Sequence, residues 1–454
     1  MTRNAPGAEV ERLSVGRLAA FALPALPLAV VVFPAYAILP GFYAQHTQMS
    51  LATIGTILMV ARVFDAVVDP AIGYLSDATN HRGSRKLWIV AGALILAFAV
   101  VKLYAPAPTV GPAYYLGWFL AFYLGYSLIE IAHKAWGTDL ARNYLERSRI
   151  ATSLAVAFGI GNLAFAIAPL LAPSGVRTYD AATLATIAWS VAIALPVVVL
   201  IAVCYAPRGR PTPAQQGGVS GLITAVAANR LLLRFMAVFV LTGLGQGIFY
   251  GLVFLYVGSV VHLGELFAWV LLADAAVTLA CIPIWYALVR ALQKHRAWAL
   301  GLAISALAIL CMWMLPTGEA AFVPLIALVC LRAFGACVIY VAPNALLGDV
   351  IDYELFKRKA NRAANFHALV SLVTKITASV GGGAGLLLVG LTGFDARLEN
   401  PPEAIAAFKV VALLASAIIL LCGAAAVVGF PLNRARHEIV RLRLERYARH
   451  VAKV

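Results

Sequence analysis

Twelve apolar runs, each long enough to cross a bilayer, leave this chain few folds to choose from. A helix needs roughly 20 consecutive apolar residues to span the hydrocarbon core. Read with a window of about 19 residues, the runs fall at 18–43, 50–75, 87–105, 113–137, 150–173, 180–206, 231–258, 265–290, 298–315, 320–348, 365–393 and 404–430. Inside lipid the backbone must satisfy its own hydrogen bonds, so segments of this length are helices. The sequence does not show the short alternating segments of a membrane β-barrel. Only 12% of the residues are charged, against about 25% in an ordinary soluble domain. An all-α polytopic membrane protein is expected.

The longest polar interruption within this block, PRGRPTPAQQGGVSG at 207–221, follows the sixth run and has a linker composition. It divides the chain into a six-helix bundle over 1–206, a central loop over 207–230, a second six-helix bundle over 231–430 and a basic tail over 431–454. Loops on the side of the N-terminus carry most of the arginine and lysine, whereas the opposite loops hold only Lys102, Arg177 and Arg397. By the positive-inside rule both termini and the central loop are cytoplasmic, in a cell inner (plasma) membrane. The net charge of +15 therefore reads as a topology signal and not as a nucleic-acid partner. The run after Arg17 is too long for the apolar core of a cleaved signal peptide. All six cysteines lie in apolar runs without a CxxC pair, which implies neither disulfides nor a metal centre. From Arg434 to Val454, arginines alternate with Ile439, Val440, Leu442 and Leu444, as in a basic amphipathic helix at the inner leaflet or a solvated tail. A faint repeat makes Asp274 in the eighth run the rough counterpart of the region around Asp65.

Charge inside the membrane is the functional clue. Residues 61–88 read ARVFDAVVDPAIGYLSDATNHRGSRKLW and place Arg62, Asp65 and Asp69 in a spanning run. Each such charge costs at least about 2.5–3.5 kcal/mol at mid-bilayer. Asp65 and Asp69 are one helical turn apart on one face, and their repulsion calls for a cation, a proton or a basic partner. Glu130 and Lys134 stand at i,i+4, either pairing with each other or serving a substrate. His133 reads as a packed helical histidine or a substrate donor, and Arg332 as lining a cavity or snorkelling. Trp118, Trp136 and Trp269 are interface anchors or stacking platforms. Gln246 and Asn344 are polar ligand candidates inside spans, and Gly381 to Gly383 with Gly385 favour close helix packing. No nucleophile triad, phosphate loop or metal-ligand cluster stands out, so no enzyme is expected.

These residues carry a resemblance. Arg62-x-x-Asp65-x-x-x-Asp69-Pro70-x-x-Gly73-x-x-x-Asp77 with Gly83-x-Arg85-Lys86-x-Trp88 resembles the second span and following loop of the glycoside–pentoside–hexuronide:cation symporters, in the major facilitator superfamily. Glu130 to Trp136 with Asp139, Glu146 and Arg147 looks like the family's second signature. Asp349-Val-Ile-Asp352-Tyr353, followed by Lys375 and Gly381 to Gly383, is similar to a third. The resemblance implies a cation site at Asp65, Asp69, Ser127 and Glu130, with Lys375 approaching it. It also implies a cytoplasmic ionic gate with Asp349 and Asp352 as its acidic half and Arg147 in its basic half; together with Asp77 and Arg85, these charges read as that gate or as a solvated surface. The chain departs from the family at Val68, where a sodium-coordinating amide stands in the melibiose carrier. The first span lacks the sugar-binding aspartate, and Ala155 replaces an arginine.

The expected protein is a monomeric secondary transporter with no cofactor, embedded in the lipid bilayer. It would couple sodium or protons to symport of a small polar organic solute such as a glycoside, pentoside or hexuronide. Substrate contacts are expected from Glu130, Lys375, Arg62, Lys134, Trp136, Gln246 and Asn344. The alternative within transport is a lysolipid-like or amphipathic substrate; a membrane-embedded enzyme or scaffold and a channel are rivals from other classes.

Overall fold

The computed structural model describes residues 13–79, 85–141, 144–171, 178–207, 209, 229–358, 363–432 and 436–443. Most of the expected central loop (210–228) and part of the basic tail (433–435 and 444–454) lie outside the described residues. Twelve helices are long and apolar enough to cross a membrane: Val15–Ala37, Leu51–Ala78, Arg85–Tyr104, Pro112–Leu140, Glu146–Leu171, Ala181–Tyr205, Arg230–Val260, Gly264–Leu292, Lys294–Met314, Glu319–Arg358, Leu369–Leu391 and Pro402–Val428. Among the described residues there is no strand.

Starts and interruptions follow local chemistry. Ser50, Asp180 and Asn229 cap the second, sixth and seventh spans through side-chain oxygens that accept backbone N–H bonds. The first span is broken at Leu23–Pro24, and the helix Leu39–His46 prolongs it beyond the apolar run. The tenth loosens into a 3-10 turn at Cys337–Tyr340, just before Pro343. It then continues as helix to Arg358, past the expected edge at 348. Asp349 and Asp352 consequently project from a rigid helix end, not from a loop.

Helix packing repeats between the halves. In the first six spans, the first packs on the fifth and sixth, the second on the fourth, and the third on the fourth and sixth. In the last six, the seventh packs on the eleventh and twelfth, the eighth on the tenth, and the ninth on the tenth and twelfth. Two six-helix bundles with equivalent internal order result.

The bundles meet chiefly through the second and eleventh spans, where glycine allows backbones to touch. A Cβ on Gly55 would lie 2.4 Å from the Gly383 carbonyl oxygen and 2.6 Å from the Leu387 nitrogen. Gln45 reaches Ser259 at 3.4 Å, Tyr179 meets the edge of Phe267, and Arg397 Nη1 donates to Gln48 Oε1 at 2.9 Å. These contacts lie at the end of the molecule opposite the termini. At the terminus-bearing end, every ion pair between described residues stays within one half. The bundles are thus fastened to each other at the end opposite the termini.

Candidate functional site

A network of charges joins the bundles at mid-depth. Arg62 Nη1 donates to Asp65 Oδ2 at 2.7 Å and Nε donates to the Lys375 carbonyl of the other bundle at 2.9 Å. The guanidinium also lies over the Tyr123 ring, 5.5 Å from its centroid. Ser127 Oγ, fully buried on the fourth span, donates to Asp65 Oδ1 at 2.8 Å. Lys375 Nζ then bridges Asp69 Oδ2, at 3.3 Å, and Glu130 Oε2. Lys134 completes the chain by pairing with Glu130 Oε1 at 2.7 Å. Asp69 Oδ1 is buried and has no hydrogen-bond partner among the described residues.

The second, fourth and eleventh spans thus bring these predicted residues to one place, and the i,i+4 spacing of Asp65 and Asp69 lets each aspartate face a different base. The sequence alone sets three carboxylates against one lysine. The folded chain supplies Arg62 and Lys134 as well, so three carboxylates meet three cations. Lys134 is the weakest of these, because 61% of its side chain is exposed and water screens it. Among the described residues no group of three or more His, Cys, Asp or Glu converges closely enough to hold a metal ion. In this conformation Lys375 Nζ lies between Asp69 and Glu130.

Other predicted residues lie elsewhere. Trp136 is buried against Phe21 and His133 and donates Nε1 to the Pro207 carbonyl at 2.8 Å, so its rings face packing and not the charge network. His133 is likewise buried, with Nε2 at 2.7 Å from the Phe21 carbonyl. Asn344 is exposed and donates to the Tyr340 carbonyl of its own span.

The expected gate residues form two separate clusters. Arg85 is buried between Asp139, at 2.6 Å, and Asp77, at 2.9 Å, with Ser76 beside it. Asp349 pairs with Lys294 at 2.6 Å, and His437 from the described part of the tail lies 2.9 Å from Asp352 and 3.3 Å from Asp349. Arg147 is exposed, and no ion pair among the described residues includes it. Asp349 is therefore neutralised by a base of its own half in this conformation, and Asp352 is contacted by His437.

Sequence reasoning did not assemble one further cluster. Arg332 is buried on the tenth span and pairs with Asp274 of the eighth, and its Nη2 donates to the Tyr250 hydroxyl at 3.1 Å. Gln246 accepts from Nη1 at 3.4 Å. Both Asp274 and Arg332 were visible as charges inside apolar runs, but their 58-residue separation leaves no periodic signal of pairing.

Comparison with known proteins places this geometry. A family model described as MFS/sugar transport protein matches residues 20–434. The chain is 24% identical to the uncharacterized symporter sll1374 of Synechocystis, covering 93% of this chain and 94% of the relative. It is 23% identical to the glucuronide carrier protein homolog of Escherichia coli K12, covering 84% and 85%. In solved structures, the nucleoside transporter NupG superposes with a TM-score of 0.66 at 12% identity, covering 91% of this chain and 99% of that one. A bacterial homolog of the human lysosomal transporter Spinster, in an inward-facing state, gives 0.62 at 15% identity, covering 91% and 95%. At such identities the structural likeness speaks to the fold alone, and the relatives do not favour the lipid alternative. The match over nearly the whole chain means that this protein belongs to the MFS/sugar transport protein family, and it is a membrane transporter and not an enzyme.

Proposed function

We propose that this transporter is a symporter that couples sodium or protons to the movement of a small polar organic solute of the glycoside, pentoside or hexuronide class. It would sit in the cell inner membrane with the terminus-bearing end in the cytoplasm and the fastened end outside. The observation that carries the reading is the bare, buried Oδ1 of Asp69 beside a lysine contributed by the opposite bundle. A carboxylate oxygen without a donor is unfavourable in a low dielectric, and a sodium ion or a proton relieves it.

Coupling follows from charge replacement. In the unloaded protein Lys375 serves as the counter-ion of Asp69 and Glu130 and ties the eleventh span to the second and fourth. A bound cation takes over part of that role and frees the lysine for the solute. Ser127 and Asp65 supply further oxygens on the same side. The solute then meets Glu130, Lys375 and Arg62, and the bundles rock only when charge is again balanced. The name of the Escherichia coli glucuronide carrier homolog supports an acidic or hydroxylated sugar as cargo. Val68, next to Asp69, offers no amide oxygen, which leaves sodium and protons as equal options.

Proteoliposomes test this directly. Uptake of labelled glycosides, pentoses and hexuronates is measured under an inward sodium or proton gradient. Accumulation by wild type is expected to fall to background in Asp69→Asn. Undiminished accumulation under both gradients would overturn the assignment.

A further inference from the structure

The second bundle holds a charge cluster that the coupling network does not use. Arg332 is 1% exposed, and its guanidinium lies over the rings of Phe249 and Tyr250, 5.0 and 4.9 Å from their centroids. Those rings hold its plane in place. Around its rim, Nη2 meets Asp274 Oδ1 and the Tyr250 hydroxyl, and Nη1 meets Gln246. Nε is buried and has no partner among the described residues. A carboxylate binds arginine most strongly side-on, through two parallel N–H bonds to adjacent nitrogens. Asp274 uses one of the two nitrogens on that edge and leaves the other empty.

The cluster also faces the interface between the bundles. Phe33 of the first span packs edge-on against Tyr250 at 5.7 Å. Tyr340, farther along the span that carries Arg332, is 60% exposed. The Asp274 side chain is 17% exposed against 1% for Arg332, so the aspartate is the member a solute would meet first. A pair serving only to lock the three spans together would be expected to satisfy the buried Nε.

We infer that Arg332 is an anion subsite for the cargo: an organic acid places its carboxylate side-on across Nε and Nη2, displacing Asp274. This rests on the carrier reading above and narrows its cargo to carboxylate-bearing solutes. Asp274 keeps the arginine neutralised while the carrier is empty, avoiding a lone charge in the membrane interior. Exchange of one carboxylate for another keeps binding moderate, as a carrier that must release its cargo requires. Gln246 and the Tyr250 hydroxyl remain to contact hydroxyl groups on the same solute.

Binding to the purified full-length chain in detergent distinguishes the outcomes, by calorimetric titration with glucuronate against glucose and galacturonate against galactose. Both acids are expected to bind at least about tenfold more tightly than their neutral partners, the loss expected when hydrogen bonds to a charge are missing. Asp274→Asn, which removes the competitor, is expected to tighten acid binding. The double variant Arg332→Gln/Asp274→Asn removes both charges together, leaves neither unpaired, and is expected to abolish the preference. Absence of an acid preference in wild type, or its persistence in the double variant, overturns the subsite. The carrier reading fails separately: Asp69→Asn would then leave gradient-driven accumulation intact whatever the double variant does.

Discussion

At the scale of single residues, the mid-membrane site is a lesson in shared counter-ions. Arg62 holds Asp65 through one nitrogen and the Lys375 carbonyl through another, so it both neutralises an acid and fastens one bundle to the other. Removing it would leave Asp65 buried with only Ser127 to satisfy it. Breaking one side of a buried pair typically costs about 3–5 kcal/mol. Arg62→Ala is therefore expected to lower the thermal unfolding midpoint in detergent, and Arg62→Ala/Asp65→Asn to recover part of the loss. A single variant as stable as wild type would show that the pair is not a structural tie. The acids and Lys375 were legible in the sequence because charge in an apolar run is conspicuous. Which base served which acid was not, since Lys375 lies 306 residues from Asp69 and 245 from Glu130.

At the scale of elements, hydropathy located all twelve spans, but side-chain chemistry decided where some of them stop. The tenth continues as helix past its apolar run because intrahelical hydrogen bonding persists into water, and this extension turns Asp349 and Asp352 into a helix-end cluster that Lys294 neutralises at Asp349 and His437 contacts at Asp352. The second and eleventh spans show the reverse dependence, with glycine and not hydrophobicity setting their approach. Gly55→Val would push a branched side chain into the Gly383 carbonyl and the Leu387 amide, preventing closure of the end opposite the termini. A cysteine introduced at Ser259 in that variant is expected to react faster with a membrane-impermeant maleimide added from that side. Unchanged labelling would show that the two helices can part at no cost to closure.

At the scale of the whole molecule, closure at that end has a polar fastening as well as a packed one. Arg397, in the loop before the twelfth span, reaches Gln48 Oε1 and, at 3.5 Å, the Thr47 carbonyl of the other bundle. Asp395 orients it, and the hydrogen bond from Arg397 holds the Asp395 carboxyl below its ordinary 3.8. A lowered carboxyl pKa stabilises the fastened form above the ordinary value, and this contribution is lost as pH falls through the lowered one. Exposed ion pairs contribute at most about 1 kcal/mol, so Arg397→Ala is expected to raise the open fraction by no more than about fivefold. Maleimide labelling of the same Ser259→Cys reporter measures it. With a spin label already attached to that reporter, wild type should show an acid step in label mobility only below about pH 4, and Arg397→Ala should show none. A step at neutral pH would assign the fastening to another group.

The sequence by itself determined that this chain lives in a membrane, how many times it crosses, and which charges lie at mid-depth, because hydropathy and insertion cost are local properties of a run. Asp65 and Asp69 are legible as two acids on one face needing a partner for the same reason. Only the tertiary structure decided which acid each base meets (Arg62 on Asp65, Lys375 on Asp69 and Glu130), that Trp136 is packed away from the site, and that Arg332 meets Asp274. Such pairings depend on how two bundles and their spans pack in three dimensions, and no period or spacing along the chain encodes that packing.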